Sequence, residues 1–299
     1  MQVRIVVTGA SGLIGQALLG ALGAAGHDTA VLVRRQPGPG EALWDPAAGT
    51  IDTGVFDGAG AVVHLAGAGI GDKRWTPERK DVILGSRVAS TTLLSRTLAG
   101  LGGPPPVLVS ASAIGYYGDR GDEELTETSG PGSGFQAEVC GAWEAATADA
   151  EGAGIRVVHL RSAVVLSPRG GALQRQLPLF RAGLGGRLGS GRQWFSWISL
   201  PDEIGAVMHV IGEPSIAGAV NASAPAPVTN REFTAALGRA LHRPAVLAVP
   251  PFALRVALGR PLADELLLGS ARVLPARLLD SGYRFRHATL DDALPALLS

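Results

Sequence analysis

Val3 to Gly15, VRIVVTGASGLIG, limits what this chain can fold into more than any other stretch. Val3 to Val7 is an apolar run that suits a buried strand. Thr8 to Ser11 is a tight turn, and the residues after it open a helix. Gly9, Gly12 and Gly15 are spaced G-x-x-G-x-x-G. Gly9 permits a sharp turn off the strand, Gly12 a close approach of backbone to a pyrophosphate, and Gly15 tight packing of helix on strand. The helix N-terminus presents unpaired N–H groups and the positive end of its dipole to an anion. The same glycines would also suit a strand–helix turn that binds nothing. Here the motif follows an apolar strand and opens an amphipathic helix, which is the context dinucleotide binding needs. Thr8, Gly9, Ser11, Gly12, Leu13, Ile14 and Gly15 are the first candidate cofactor residues.

The rest of the chain repeats the alternation. Leu13 to Ala25 reads as a helix with an apolar stripe, and Asp28 to Val33 as a second strand. An Asp or Glu closing that strand would bond the ribose hydroxyls of NAD. This chain has Arg34 and Arg35 there, which would attract and bond a 2′-phosphate, so NADP(H) is the expected cofactor. Residues 38–57 read as a turn-rich loop with a short hairpin or extended arm. Gly60 to Leu65 is a third strand, and the small residues at its end, Leu65, Ala66 and Gly67, let a cofactor cross the sheet edge. His64 reads as a core histidine. Thr76 and Pro77 start a long helix reaching about Leu101. Val107 to Ser110 is a fourth strand, with Ser110, Ala111 and Ser112 at the rim where open α/β sheets bind ligands. Ser133 is expected to cap a helix from about Gly134 to Glu151. Ile155 to Leu160 is a fifth strand, Ala172 to Ala182 a helix, and Trp194 to Ile198 a strand leading into a helix at Pro201.

Alternating strands and helices through about residue 170 predict an α/β fold, a Rossmann-type doubly wound parallel sheet. Prolines and short helices from about Thr229 predict a smaller C-terminal substrate lobe. The expected division is residues 1–228 for the NADP-binding domain, with substrate-lobe segments from about 170, and 229–299 for the lobe. Of the 299 residues, 46% are hydrophobic and 17% charged, with a formal net charge of +0. That balance offers no basic footprint for nucleic acid or an anionic membrane. No apolar run is long enough to span a bilayer. The chain opens directly on a strand rather than on a signal-peptide pattern, and its single cysteine, Cys140, forms no internal disulfide. A cytoplasmic location follows as the expectation, with no metal site.

Several motifs together resemble the extended short-chain dehydrogenase/reductases: Val3 to Gly15, HLAG at His64 to Gly67, and the SAS…YYG stretch from Ser110 to Gly118. More narrowly, KRWT at Lys73 to Thr76, SRVAST at Ser86 to Thr91, SWI at Ser196 to Ile198 and RVLPARLLDSGYRF at Arg272 to Phe285 resemble an atypical bacterial subgroup. That subgroup is described as nucleoside-diphosphate-sugar epimerase-like, or cell-division-inhibitor-like. The resemblance implies hydride transfer with a nicotinamide, a Tyr-x-x-x-Lys pair handling the proton, and a Ser holding the substrate oxygen. It also implies a homodimer through the helices at Thr76 to Leu101 and Gly134 to Glu151.

Ser112 matches that Ser, but no Tyr or Lys occurs between Gly118 and Trp194. By the direct alignment Phe135 takes the Tyr place and Val139 the Lys place, while Arg87 replaces an expected Asn. Three readings follow. Tyr116 or Tyr117 supplies the acid, with Arg87 standing in for the Lys charge. Or Cys140 reacts, against the buried inert thiol that free cysteines usually are. Or the chain binds NADPH without turning it over, as a regulator or redox sensor. Arg161, Arg187, Arg192 and Lys73 could meet an anionic substrate, and Trp194 and Trp197 could stack on a ring. The histidine that relatives carry after SWI is Ser199 here.

Overall fold

The computed structural model describes residues 2–299. Eight strands form one sheet: β1 (Arg4–Thr8), β2 (Asp28–Val33), β3 (Glu41–Asp45), β4 (Thr50–Ile51), β5 (Ala59–His64), β6 (Val107–Ala113), β7 (Arg156–Ser162) and β8 (Gly218–Ala222). Their order across the sheet is β8-β7-β6-β5-β1-β2-β3-β4, with every neighbouring pair parallel except β3 and β4. Strand order reverses between β1 and β5, and in an open α/β sheet the crevice at that reversal is where ligands sit.

Period-two alternation decides which helices cover which face. Ile5 and Val7 of β1 face α1 (Leu13–Ala24), together with Val63, Val109, Val158 and Val220, and Leu18 and Leu22 meet them. Val6, Val62, Leu108 and Val157 face the other way, onto Leu94 and Leu98 of α2 (Pro77–Ala99). The two faces are therefore covered by separate helix layers. α3 (Phe135–Ala145) and α4 (Ala148–Gly152) lie on the α2 side, and α6 (Leu200–Gly212) on the α1 side, following α5 (Gly171–Arg181). A third core joins Leu173, Leu177 and Phe180 of α5 to Phe233 and Leu237 of α7 (Asn230–Ala240) and to Leu290 and Leu294. No helix among the described residues is long and apolar enough to cross a membrane.

The structure changes four expectations. The helix expected from Gly134 to Glu151 is two, broken at Ala146 and Thr147. Ser133 does not cap it: Gly134 holds the cap position at φ +98° without a side-chain bond, and Glu265 Oε2 accepts the Gln136 N–H from the far end of the chain (3.0 Å). The strand expected over Trp194 to Ile198 divides at Ser196, whose hydroxyl donates to Ala271 O and accepts from Val273 N–H. The sheet also continues past residue 170, because α6 returns the chain for β8 beside β7.

Candidate functional site

The turn between β1 and α1 is built by backbone fit. A Cβ on Gly9 would lie 2.6 Å from the Leu65 carbonyl carbon and 2.8 Å from Ala66 N, and Gly9 has φ +69°. A Cβ on Gly15 would lie 2.7 Å from Ala10 Cα. Gly12 differs: its Cβ would meet only Gly9 O, at 3.3 Å, and one side of it is open. Gly12 is also the N-cap of α1, makes no side-chain cap bond, and is followed by no acidic residue in the first turn. The helix therefore offers unpaired N–H groups and an uncancelled dipole end to an anion, with Ser11, Leu13 and Ile14 around it. Leu65, Ala66 and exposed Gly67 face it from the end of β5. These groups fit a dinucleotide pyrophosphate.

Thr8 is turned inward instead. Its hydroxyl accepts from Leu65 N–H (3.1 Å) and lies 2.7 Å from His64 Nδ1, while His64 Nε2 is 3.0 Å from Thr91 Oγ1. His64 thus ties β1, β5 and α2 together, and burial lowers its pKa to about 4. It is a neutral core histidine, as expected. Ser110 is buried beside it in register, its hydroxyl without a partner. Ala111, half-buried, faces the opposite side of β6.

Of the two arginines after β2, Arg35 is clamped by Glu41 through two bonds of 2.7 and 2.6 Å, with Glu41 also accepting Gly38 N–H. That pair lies in water, and its net contribution to stability is small. Arg34 is exposed and makes no such pair.

At the rim of β6, Ser112 is buried and its hydroxyl donates to Glu144 Oε1 (2.7 Å). Arg161, at the end of β7, grips both oxygens of Glu144 at 2.8 Å each. Burial works against the Arg161 charge, but Glu144 outweighs it and raises the pKa. The Arg161 guanidinium lies 3.4 Å from the Tyr116 ring centre. It also donates to Tyr117 Oη (2.9 Å), which in turn donates to Asn221 Oδ1 (2.7 Å).

Tyr117 is therefore fully buried with its hydroxyl committed on both sides, and burial raises its pKa. It does not reach the open rim, whereas half-buried Tyr116 does. Arg87 stands apart from both tyrosine hydroxyl partners. It donates to Ala68 O and Ile83 O, lies over the Trp143 ring at 4.8 Å, and packs against Gly67. Burial lowers its pKa. Its place is to pin the loop after β5.

The alignment of Phe135 and Val139 to the Tyr and Lys places does not survive the geometry of α3. Both turn into an apolar cluster with Trp75, Ile83 and Leu262. The face toward Ser112 carries Gln136, Cys140 and Glu144, spaced i, i+4, i+8. Gln136 lies across Gly115, and the Cys140 thiol lies against the Ala113 backbone and the Ser112 hydroxyl. Burial pushes Cys140 up to about 11, so it is an inert thiol at neutral pH.

Of the other candidates, Trp197 is a core residue donating to Ala226 O, and Trp194 donates to Asp122 and is faced by Arg272. Arg187 bonds Gly189 O, while Lys73 and Arg192 are exposed. Ser199 is buried, caps α6 at Asp202 and lies 2.9 Å from His287 Nδ1. No group of His, Cys, Asp or Glu among the described residues is arranged to hold a metal. The residues missed from sequence are Gln136 and Glu144. The signal that could have found them is the i, i+4, i+8 line with Cys140 on a helix whose one other polar side chain, Glu138, is exposed.

Comparison with known proteins agrees with this architecture. Residues 5–222 match the NAD dependent epimerase/dehydratase family, and residues 249–297 match a domain of unknown function, DUF1731. Epimerase family protein Mb2239 of Mycobacterium bovis is 46% identical over 97% of this chain and 96% of its own length. Human epimerase family protein SDR39U1 is 37% identical over 99% of this chain and 100% of its own. The crystal structure of human SDR39U1 (isoform2) with NADPH superposes at a TM-score of 0.89, with 35% identity over 98% of each chain. MoeE5 in complex with UDP-glucose and NAD shares the fold at a TM-score of 0.74 and 21% identity, covering 98% of this chain and 97% of its own. This chain thus belongs to the NAD dependent epimerase/dehydratase family, as an atypical short-chain dehydrogenase/reductase.

Proposed function

We propose that the protein binds NADP(H) and works as an oxidoreductase or epimerase on a small substrate, of which a sugar nucleotide is one class. The single observation that carries this is the uncapped N-terminus of α1, opening on the glycine turn beside the β5 end, with Ser112 on the same sheet rim. Gly9, Gly12 and the first turn of α1 would hold the pyrophosphate, and Arg34 the 2′-phosphate. NADPH bound by human SDR39U1 supports that choice of cofactor. When bound, the cofactor supplies the hydride chemistry. The chain's own part is to orient the substrate: Glu144, fixed by Arg161, accepts the hydrogen bond of the Ser112 hydroxyl and leaves the Ser112 lone pairs open to a substrate hydroxyl.

NADPH labelled with deuterium at its transferable carbon, incubated with the protein and a metabolite extract, tests the reading. Label is expected in a metabolite with the wild type. Ser112→Ala should lower that turnover about tenfold, the worth of one lost hydrogen bond, with NADPH affinity unchanged. Equal labelling by the variant would remove Ser112 from the reaction.

The α3 face supports a second reading, that of an NADPH-binding regulator, because Gln136 and Cys140 give it no group that titrates near neutrality. Tight NADPH binding without label in any metabolite, and capture of a protein partner only when NADPH is present, would select it.

A further inference from the structure

The Gln136 side chain has a position and no partner. Gln136 is half-buried in the first turn of α3, and only its backbone N–H is engaged, by Glu265. Its side-chain amide makes no hydrogen bond within the described residues. Gly115, just past the end of β6, is where it rests: a Cβ on Gly115 would fall 2.9 Å from Gln136 Oε1 and 3.0 Å from its Cβ. One and two turns further along the same face, Cys140 and Glu144 both touch Ser112. The amide therefore stands at the open end of a line whose other members are already fixed to Ser112.

The neighbouring cations are directed elsewhere. Arg161 is held by both oxygens of Glu144, and Arg87 turns its Nη1 to Ala68 O and Ile83 O and lies over the Trp143 ring. What the α3 face offers a substrate beside Ser112 is a neutral N–H donor, as the half-buried Tyr116 offers a neutral hydroxyl from the rim, and neutral donors suit a ketone, aldehyde or alcohol oxygen better than a carboxylate or phosphate.

We propose that the Gln136 amide is the donor that seats the reacting oxygen of a neutral carbonyl or alcohol substrate beside Ser112. This rests on the reading of the β6 rim as the substrate site. A Gln in that place orients the oxygen but has no proton to give near neutrality, so the hold it provides is independent of pH.

The test uses isatin, a neutral cyclic ketone, with the full chain labelled with nitrogen-15 and saturated with NADP+. The Gln136 side-chain amide signals, assigned by their loss in Gln136→Ala, are expected to move on isatin addition and to stay still on acetate addition. Isatin affinity should fall about tenfold in Gln136→Ala, whose backbone bond to Glu265 is untouched. Isatin affinity of the wild type should be flat from pH 6 to 8, and Gln136→Glu should acquire a pH dependence across that range. Unmoved amide signals, or equal isatin affinity in Gln136→Ala, overturn the proposal. Moved signals, with no NADPH oxidised when isatin and NADPH are given to the protein in a separate assay, sustain it and count instead against the oxidoreductase reading.

Discussion

Arg34 and Arg35 are neighbours in sequence with different bonding. Glu41 takes both ends of the Arg35 fork, and the Arg35 bond holds the Glu41 carboxylate pKa below the usual range. Arg34 keeps all its donors for a ligand. Arg34→Ala should therefore weaken NADPH binding about tenfold while changing NADH binding little, and Arg35→Ala should change either by much less. Fluorescence titration of the two variants with both cofactors checks this, and equal losses would refute it. Glu203 makes a second residue-scale case. It is fully buried at the start of α6; Oε1 accepts from Ser162, and Oε2 has no partner. Burial raises its pKa to about 7 from the ordinary 4.5. The folded state thus favours the protonated acid, so this group's contribution is most favourable below pH 4.5. It is lost as pH rises from 4.5 to 7 and is flat above that. The shift corresponds to roughly 3 kcal/mol. Urea denaturation of Glu203→Gln should show its stability relative to the wild type rising by that amount between pH 4 and pH 8. A constant difference would mean that Glu203 does not titrate there.

The strand–turn–helix unit from β1 to α1 was legible because everything it needs is local. An apolar run, three glycines and an apolar stripe lie within 22 residues of one another, from Val3 to Ala24. The glycines still differ in what they do. Gly15→Ala should cost about 2 kcal/mol or more, because its Cβ would strike the Ala10 backbone. Gly12→Ala should leave thermal stability nearly unchanged and weaken NADPH binding at least tenfold, because its open side is where phosphate would lie. Melting temperature and NADPH affinity of the two variants separate these effects; a large loss of stability in Gly12→Ala would contradict them. α3 was legible as a helix but not in its facing. Reading Phe135 and Val139 toward the site set its register one residue early. What fixes the register is the positive φ of Gly134 and the bond from Glu265, 129 residues further along the chain from Gln136. The Glu144–Arg161 pair was hidden for the same reason: it joins α3 to β7, and neither residue has a local pattern that announces the other. Tyr117 was misplaced in the site because its committing partners, Arg161 and Asn221, come from two other strands.

Across the whole molecule, the family matches divide the chain, but the strands and cores do not. Gly186–Leu188 pairs with Leu247–Val249, Trp194–Phe195 with Val228–Thr229, and Glu124–Leu125 with Arg272–Val273. The third core takes Leu173, Leu177 and Trp197 from before residue 229 and Phe233, Leu237 and Leu294 from after it. Leu278 lies in the core of the main sheet's α1 side, with Tyr283 and Phe285 packed against it. The Asp202 carboxylate, fully buried at the start of α6, is satisfied by Ser199 and by the backbone N–H groups of Arg286 and His287. Removing residues 229–299 would leave that carboxylate buried in part without its donors and would expose apolar surface on two cores. A buried charge deprived of its partners costs several kcal/mol, a large part of a domain's total stability. The chain should consequently unfold in one calorimetric transition, with calorimetric and van't Hoff enthalpies equal, and a fragment of residues 1–228 should not fold by itself. Two resolved transitions, or a soluble fragment 1–228 that binds NADPH with the affinity of the full chain, would show that the lobe is a separable domain. In the one-unit case, Glu265 on the Gln136 N–H makes the lobe part of the site itself, so lobe and cofactor crevice should be lost together on heating.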